Sequence, residues 1–289
     1  MLATLKDVLK VAEEKKIAIG AFNAPNLESL QAVMAAAEEM ELPVIIQFAP
    51  VHEIHNPLAL MGPLMVDFAK KAKVPVCVHL DHGDSIERVK YALGMGFTSV
   101  MYDGSTLAYE ENVANTRMAA DLAHAQGADI EAELGSMGRT ESGEGVGSGE
   151  DDDSKIYTDP VQAKDFVART GVDALACSFG TTHGIYLKKP RLDFSVVENV
   201  RKETNGIPVV MHGGSGVSKE DFHAAIQAGV RKINYFTYMD RAAGMAVQKW
   251  AAELKENVPP FYTSVSAVAK EAMKENVKDA MRTFARLDE

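Results

Sequence analysis

The sequence predicts an α/β fold, a closed (β/α)8 or TIM barrel, because eight short apolar runs alternate with helical stretches along its 289 residues. The runs are rich in β-branched residues, which favour strands. An open, doubly wound sheet is the alternative, but no glycine-rich dinucleotide-binding turn follows the first run. The predicted strands are Ile17–Phe22, Val44–Phe48, Val76–Leu80, Ser99–Tyr102, Asp129–Leu134, Ala174–Ser178, Val209–His212 and Lys232–Tyr235.

Glycine and proline mark the boundaries of these repeated units. A left-handed residue often ends a helix and favours glycine, and the entrance of a strand tolerates the missing N–H of proline. Glycine separates a predicted helix from a strand at Gly96, Gly127, Gly171 and Gly229, and proline precedes a strand at Pro43, Pro75 and Pro208.

Three segments lie outside the repeat. The first 16 residues have the pattern of an amphipathic helix. Residues 135–155 are rich in glycine and almost free of apolar side chains, so we expect a mobile active-site loop there. Residues 263–289 predict a C-terminal helical extension, and we expect residues 1–289 to form a single domain.

The composition excludes several classes of function. A net charge of −11 without a basic stripe argues against a nucleic-acid partner. No apolar run reaches the roughly 18 residues of a membrane-spanning helix, so we expect no membrane partner. Cys77 and Cys177 lie in apolar runs, which indicates buried thiols in a reducing compartment and a cytoplasmic protein.

Histidines stand at or just after the carboxyl ends of three predicted strands, where the active site of a barrel lies. His82 stands in HLDHG, His183 in GTTHG and His212 in HGGSG. Three imidazoles and one open position are typical of catalytic zinc, so we predict one Zn²⁺ ion there. Each histidine taken alone could equally be a hydrogen-bonded structural residue.

Two further features belong to this end of the predicted barrel. Asp81 precedes His82, and both can point inward only if the strand has ended and the chain is turning. A carboxylate near zinc stays ionised and can take a hydroxyl proton. The sequence HGGSG, ahead of a helix that starts near Ser218, offers backbone N–H groups to an anion, although a plain tight turn is the alternative.

Together these motifs resemble the zinc-dependent class II aldolases, the family of the fructose-bisphosphate and tagatose-bisphosphate aldolases. The motifs HLDHG, IEAELG, GTTHGIY, HGGSG and N-x-x-T at 234–237 occur in the family's order and approximate spacing. The resemblance runs from about residue 17 into the C-terminal helix. It implies a TIM barrel, an aldehyde-lyase of carbohydrate metabolism and glycolysis, a zinc cofactor and a homodimer or homotetramer.

The resemblance also implies roles for individual residues. Asp81 would handle the proton of the C4 hydroxyl, and Glu141, with Glu144 as its rival, would transfer a proton at C3. Glu133 would contact the metal in an alternative position, Asn23 would contact substrate, and a Na⁺ or K⁺ ion would lie beside the phosphate. The implied zinc ligands are His82, His183 and His212, and the implied phosphate-binding residues are Gly184, Gly213, Ser215, Asn234 and Thr237.

The chain departs from the family pattern mainly where the aldehyde half of the substrate would bind. Arg139 and Thr140 replace a glycine and an acid of the loop, and Phe236 stands where Asp or Ala is frequent. Residues 47–50 lack a serine that binds the distal phosphate in some members. The planar guanidinium of Arg139 suits oxyanions, so this residue could bind a sulfonate or a carboxylate.

The sequence therefore predicts cleavage of a ketose 1,6-bisphosphate (fructose- or tagatose-type), or a related ketose 1-phosphate, to dihydroxyacetone phosphate and an aldehyde through a zinc-stabilised enediolate. A ketose 1-phosphate with a different distal group, such as sulfofructose 1-phosphate or a deoxy-keto-gluconate phosphate, is the alternative. A metal-dependent isomerase or epimerase and a non-catalytic phosphosugar-binding protein are further alternatives. Schiff-base chemistry is disfavoured, because no lysine follows a predicted strand and Lys232 stands at the start of the last one.

Overall fold

The computed structural model of the chain describes residues 1–135, 157–182, 190–255 and 258–287. Within these ranges the strands are β1 (Leu2–Ala3), β2 (Ile19–Asn23), β3 (Val44–Phe48), β4 (Val76–Gly83), β5 (Ser99–Tyr102), β6 (Asp129–Leu134), β7 (Ala174–Cys177), β8 (Val209–Met211) and β9 (Val230–Tyr235). Strands β2 to β9 pair in parallel in the order β4-β3-β2-β9-β8-β7-β6-β5, and β4 pairs with β5 to close the ring. The predicted (β/α)8 barrel is confirmed, and all eight predicted strands are present with small shifts at their ends.

Helices follow the strands and cover the outside of the barrel. Side-chain caps stand at the starts of α1, α2, α4, α6, α7 and α8. At the start of α8, where the sequence predicted a helix to begin, Ser218 accepts a hydrogen bond from the backbone of Asp221. The four glycines expected after helices all have positive φ angles, between 71° and 125°. The helices are α1 (Leu5–Lys15), α2 (Leu27–Met40), α3 (Leu58–Lys71), α4 (Ile86–Gly94), α5 (Tyr109–Ala125), α6 (Pro160–Thr170), α7 (Phe194–Glu203), α8 (Lys219–Ala228), α9 (Thr237–Ala252) and α10 (Tyr262–Phe284), with a 3₁₀ helix, η1, at Pro50–Ile54.

The first residues of the chain differ from the sequence-based expectation of one continuous helix. Leu2–Ala3 forms the short strand β1, which pairs in parallel with the start of β4. Helix α1 begins only at Leu5, because Thr4 and Asp7 exchange side-chain and backbone hydrogen bonds in a capping box that ends the extended segment.

Helix α1 covers the N-terminal end of the barrel. It contacts β2, β4, β6 and β9, which lie on different sides of the ring. Its apolar side chains form one buried cluster with inward-facing strand residues. The members of this cluster include Leu5, Val8 and Leu9 of the helix, and Ile19, Ala21, Ile45, Cys77, Ala174 and Val210 of the strands. This end of the barrel is therefore closed by apolar packing.

The inward-facing residues change from apolar to polar along the strands. Alternate residues of a strand share a face, so the residue two positions after an inward-facing one also points into the barrel. Asn23, Gln47 and His79 follow the apolar cluster in this way, and all three are buried. Polar side chains therefore lie at the carboxyl ends of the strands, at the end of the barrel opposite α1.

The C-terminal helix packs along the barrel. Helix α10 lies against α2 and α9, and the expected C-terminal helix is confirmed between Tyr262 and Phe284. Phe284 is fully buried, and its ring centroid lies 4.9 Å from that of Phe222 and 5.9 Å from that of Tyr235. The helix thus anchors itself to the last βα unit.

Two predictions from composition can be checked in the described part of the chain. No helix there has the length and apolar character needed to cross a bilayer. Cys77 and Cys177 are buried free thiols, as their apolar surroundings predicted.

Phe284→Ala should lower the free energy of unfolding by about 3–5 kcal/mol, because it removes a fully buried ring and leaves a cavity. Urea unfolding would measure this change. Tyr262→Ala, at the exposed start of the same helix, should change stability by less than about 0.5 kcal/mol. Equal effects of the two substitutions would contradict the packing described for α10.

Candidate active site

A bulge in β4 brings Asp81 and His82 to the same side of the barrel. The pairing register between β4 and β5 shifts between Leu80 and Gly83, and His82 adopts a left-handed φ of 47°. The sequence-based expectation was that the strand ends before His82. The strand instead continues to Gly83 and bulges, and this irregularity lets two adjacent residues face one site.

His82 is oriented by Asp103, the residue that follows β5. Nδ1 of His82 donates a hydrogen bond to Oδ2 of Asp103 at 2.7 Å, and Ser105 donates to the other oxygen of Asp103. Burial opposes protonation of His82, but the carboxylates of Asp81 and Asp103 raise its pKa to about 9. With Nδ1 engaged, Nε2 is the nitrogen that faces Asp81 Oδ1, at 4.0 Å.

His212 follows β8 and is fully buried. Its Nε2 donates to Oε1 of Glu131 at 2.8 Å, and its Nδ1 lies 3.4 Å from Oε2 of Glu133. Burial lowers the pKa of His212 and so favours the neutral imidazole, which is the form that binds metals. The rings of His82 and His212 meet edge to face with their centroids 4.7 Å apart.

Asp81 is buried and is surrounded by amide donors. Asn23 Nδ2 donates to its Oδ2 at 2.9 Å, Gln47 Nε2 donates to the same oxygen at 3.1 Å, and Asn234 Nδ2 donates to its Oδ1 at 3.1 Å. Burial alone would raise the pKa of Asp81, but the charges of neighbouring histidines, with His82 the strongest, hold it well below its ordinary value. Asp81 is therefore an ionised, rigidly held carboxylate.

Two overlapping groups of side chains could hold a metal ion. The donor atoms of Asp81, His82 and His212 lie within 4.8 Å of one another, and those of His82, Asp103 and Glu133 do the same. Imidazole nitrogen and carboxylate oxygen are ligands that Zn²⁺ accepts. The hydrogen bonds to Asp103 and Glu131 also fix the tautomers of the two histidines, so the donor set fits zinc.

Glu133 has an environment unlike that of Asp81. Burial, with the nearby charge of Asp103, raises its pKa to about 8. A metal ion would reverse this balance, because a cation favours the carboxylate form. The protonation state of Glu133 therefore depends on whether a cation occupies the site.

The HGGSG turn lies beside the N-terminus of α9. Gly213 has a φ of 66°, and a Cβ at this position would overlap the backbone of Thr182, so glycine is required there. The Ser215 hydroxyl accepts hydrogen bonds from the backbone N–H groups of Phe236 and Tyr238, at 3.3 and 3.4 Å. Thr237 is the first residue of α9, so this turn adjoins a helix N-terminus that favours anions.

The remaining predicted site residues lie at other places in the barrel or outside the described residues. The side chain of Asn234 lies with Asp81 in the barrel interior, and its backbone carbonyl accepts a hydrogen bond from Gly214 N at 3.2 Å. Glu133 lies beside His212. The predicted residues Arg139, Glu141, Glu144, His183 and Gly184 lie outside the described residues.

Four polar residues of the site were missed by sequence reasoning, and the position of a fifth was misjudged. Asp103, Glu131, His79 and Gln47 were assigned no role, although His79 belongs to HLDHG and Glu131 to IEAELG. All but Asp103, which follows the end of its strand, could have been found by counting inward-facing positions in steps of two. Lys232 was placed at the N-terminal end of its strand and set aside. It is the third residue of β9 and is fully buried inside the barrel. Nζ of Lys232 lies 2.8 Å from Glu131 Oε2.

Aromatic side chains form a wall beside the site, where β3 and β9 end. The ring of Phe236 lies edge to face with His52, with centroids 4.7 Å apart, and Phe48 lies 6.3 Å from the same histidine. His52, to which the sequence assigned no role, is buried, and burial lowers its pKa to about 4. In this wall, position 236 carries an apolar ring.

Comparisons with known proteins show the family of the chain. The family model described as "Fructose-bisphosphate aldolase class-II" matches residues 3–289. A "Probable fructose-bisphosphate aldolase" of Bacillus subtilis (strain 168) is 38% identical over 291 residues, covering 98% of this chain and 97% of its own. The crystal structure of the YdjI aldolase from Escherichia coli K12 matches with a TM-score of 0.85 at 36% identity, covering 98% of this chain and 97% of its own.

A barrel with polar and metal-binding residues at the carboxyl ends of its strands defines the class of protein as an α/β-barrel enzyme. The chain belongs to the class II fructose-bisphosphate aldolase family and is an aldehyde-lyase. The family generally uses Zn²⁺, and the groups around His82 and His212 are suitable metal-binding groups.

His52→Gln should make metal-free protein more resistant to acid. The folded protein holds the pKa of His52 at about 4, below the ordinary 6.5, so protons bind the unfolded chain more readily between these values. The stabilising contribution of neutral His52 is therefore complete above pH 6.5 and is lost as the pH falls towards 4. By linkage this loss is at most about 3 kcal/mol.

Urea unfolding of chelator-treated protein at pH 7, 6, 5 and 4 would test this. The gap between His52→Gln and the wild-type chain should grow in favour of the variant as the pH falls. His55→Gln, at an exposed neighbour on the same segment, is the matched control and should show no such trend. A constant gap for His52→Gln would contradict the assigned environment.

Proposed function

We propose that the protein is a zinc-dependent aldolase that cleaves a ketose 1,6-bisphosphate of the fructose or tagatose type, or a related ketose 1-phosphate. The products are dihydroxyacetone phosphate and an aldehyde. The observation that carries the proposal is the group of Asp81, His82 and His212, which joins two imidazoles to an ionised carboxylate within 4.8 Å. A metal site and a base are thus side by side, as this reaction requires.

The zinc ion is assigned to His82 through Nε2, to His212 through Nδ1, and to His183. Hydrogen bonds from the opposite ring nitrogens to Asp103 and Glu131 support the first two assignments. When bound, zinc supplies a Lewis acid that stabilises the negative charge developing on the ketose oxygens.

Asp81 is assigned as the base for cleavage. As the C3–C4 bond breaks, its electron pair stays with C3, and the C4 hydroxyl loses its proton to Asp81 while the aldehyde C=O forms. The amide donors of Asn23, Gln47 and Asn234 hold the carboxylate in place before this step. The donors remain engaged while the proton is transferred to the other lone pairs of the carboxylate.

Two acids complete the assignment. Glu141 of the long loop, with Glu144 as the rival, is proposed to protonate C3 of the three-carbon product. Glu133, which lies 3.4 Å from Nδ1 of His212, is proposed as the alternative metal ligand. Its raised pKa suits a group that gains a proton when the ion moves away.

The phosphate of the dihydroxyacetone half is assigned to the HGGSG turn and the start of α9. The left-handed Gly213, the Ser215 hydroxyl and the helix N-terminus at Thr237 support this assignment. A Na⁺ or K⁺ ion is proposed beside the phosphate. The proposed substrate-binding residues are Asn23, Gly184, Gly213, Ser215, Asn234 and Thr237.

The wall of Phe236 and His52 favours a second candidate substrate. An apolar ring at position 236 offers no charge or hydrogen bond to sugar hydroxyls. A ketose 1-phosphate with a different distal group, such as sulfofructose 1-phosphate or a deoxy-keto-gluconate phosphate, is therefore the alternative. Arg139 is proposed to bind the distal anion in that case.

Removal of zinc should abolish the release of triose phosphate, because zinc is the proposed Lewis acid that stabilises the developing charge. The enzyme is treated with a chelator, assayed on a panel of ketose phosphates, and assayed again after zinc is added back. Recovery with zinc supports the assignment, and activity that resists the chelator contradicts it. Cleavage of fructose 1,6-bisphosphate that is faster by orders of magnitude than all other cleavage would reject the second candidate.

Asp81→Ala should lower kcat by about 10²–10⁴-fold, because the general base is lost, while the histidines still bind zinc. Steady-state kinetics and zinc content measured together would show this separation. Asp84→Ala is the control, since Asp84 is exposed and pairs with Arg88 on the surface. Turnover of Asp81→Ala equal to that of the wild-type enzyme would remove Asp81 from the mechanism.

A further inference from the structure

Lys232 is a fully buried lysine to which the proposed reaction assigns no role. It lies in β9, inside the barrel, and its Nζ is 2.8 Å from Asn234 Oδ1 and 2.8 Å from Glu131 Oε2. A buried ammonium is strongly destabilising unless it is paired in this way. Each of the two partners makes a further contact with a group of the active site.

The first path runs through Asn234 to the carboxylate of Asp81. An ammonium only donates hydrogen bonds, so the carbonyl oxygen of the Asn234 amide must face Lys232. The NH₂ end then points the other way and donates to Asp81 Oδ1 at 3.1 Å. With the amide reversed, two donors would face each other at Lys232 and Asp81 would lose a donor. Lys232 therefore sets the orientation of Asn234.

The second path runs through Glu131 to His212. The two oxygens of Glu131 are divided between the lysine and the histidine: Oε2 faces Lys232, and Oε1 accepts the Nε2–H of His212 at 2.8 Å. This hydrogen bond leaves Nδ1 as the nitrogen directed towards Glu133 and the proposed metal. Without the ammonium, Glu131 would be an uncompensated buried charge, free to draw closer to His79, whose Nε2 lies 3.6 Å away.

We propose that Lys232 is a positioning residue that orients both the base and a metal ligand of the site, Asp81 through Asn234 and His212 through Glu131. The proposal rests on the aldolase function proposed above and deepens it. Lys232 is not a nucleophile here, because its Nζ is enclosed in the barrel and held by two partners.

The test is Lys232→Met in the full chain, a substitution of similar length without the charge. Zinc affinity is measured by competition with a chelator, and kcat and KM are measured at saturating zinc. Zinc affinity and kcat should each fall by about 10–100-fold, as is usual when support behind a metal ligand is lost. The fall in kcat should exceed the change in KM, because the phosphate-binding turn does not contact Lys232.

Arg231→Met is the matched control on the same strand. Arg231 is also a buried cation in an ion pair, with Glu13, but it faces away from the barrel interior. Its loss should lower stability and leave zinc affinity and kcat within about twofold of the wild-type values. Equal effects of Lys232→Met and Arg231→Met on both readings would show a merely structural role and overturn the proposal.

Lys232→Met combined with Glu131→Gln removes both buried charges and replaces the single variant if that variant does not fold. The same losses of zinc affinity and kcat are expected. Wild-type zinc affinity or wild-type kcat in this double variant would overturn the proposal. A wild-type chain that cleaves no ketose phosphate would instead reject the proposed function.

Discussion

The structure depends on one geometric constraint, the two-residue period of strands in a barrel that is closed at one end. Helix α1 seals the N-terminal end with apolar side chains such as Leu5 and Val8. The residues of β2, β3, β4, β7 and β8 that pack against α1 are apolar, and polar residues lie further along these strands. Strand β6 differs, because its first residue, Asp129, is buried and accepts a hydrogen bond from the backbone of Lys6 in α1. Two residues beyond Ala21 comes Asn23, and two beyond Cys77 comes His79. The fold and the position of the site follow from the same alternation.

Charges inside the barrel are tolerated because each is compensated nearby. Lys232 lies against Glu131, Asp103 against His82, and Asp81 against three amides. The net charge of −11 is a property of the whole chain and says little about this interior. Local pairing sets the protonation of the site: the pKa of Asp81 is held low, while burial raises that of Glu133 to about 8. The two carboxyl groups, Asp81 and Glu133, therefore differ in their protonation within one site.

Periodicity predicted the barrel well, because eight apolar runs with glycine and proline at their boundaries admit few other folds. Motifs pointed to His82, His212 and Asp81, which lie together in the structure, since residues beside glycine at strand ends stand out. The bulge at His82 was not predictable, because nothing in HLDHG distinguishes a strand that ends from one that continues with a left-handed residue. Lys232 was misjudged for another reason: its role depends on partners 101 and two residues away in sequence, Glu131 and Asn234, and their contact exists only after the barrel closes.

The arrangement separates cleavage chemistry from recognition of the aldehyde. The groups proposed for cleavage lie inside the barrel and support one another through Lys232, so a change in one disturbs the rest. Phe236 and His52 lie beyond the strands, where Phe236 follows the end of β9 and His52 belongs to η1. Neither makes a hydrogen bond to Asp81 among the described side-chain contacts. A chain of this design can therefore change its aldehyde while it keeps the interior network proposed to break the C3–C4 bond.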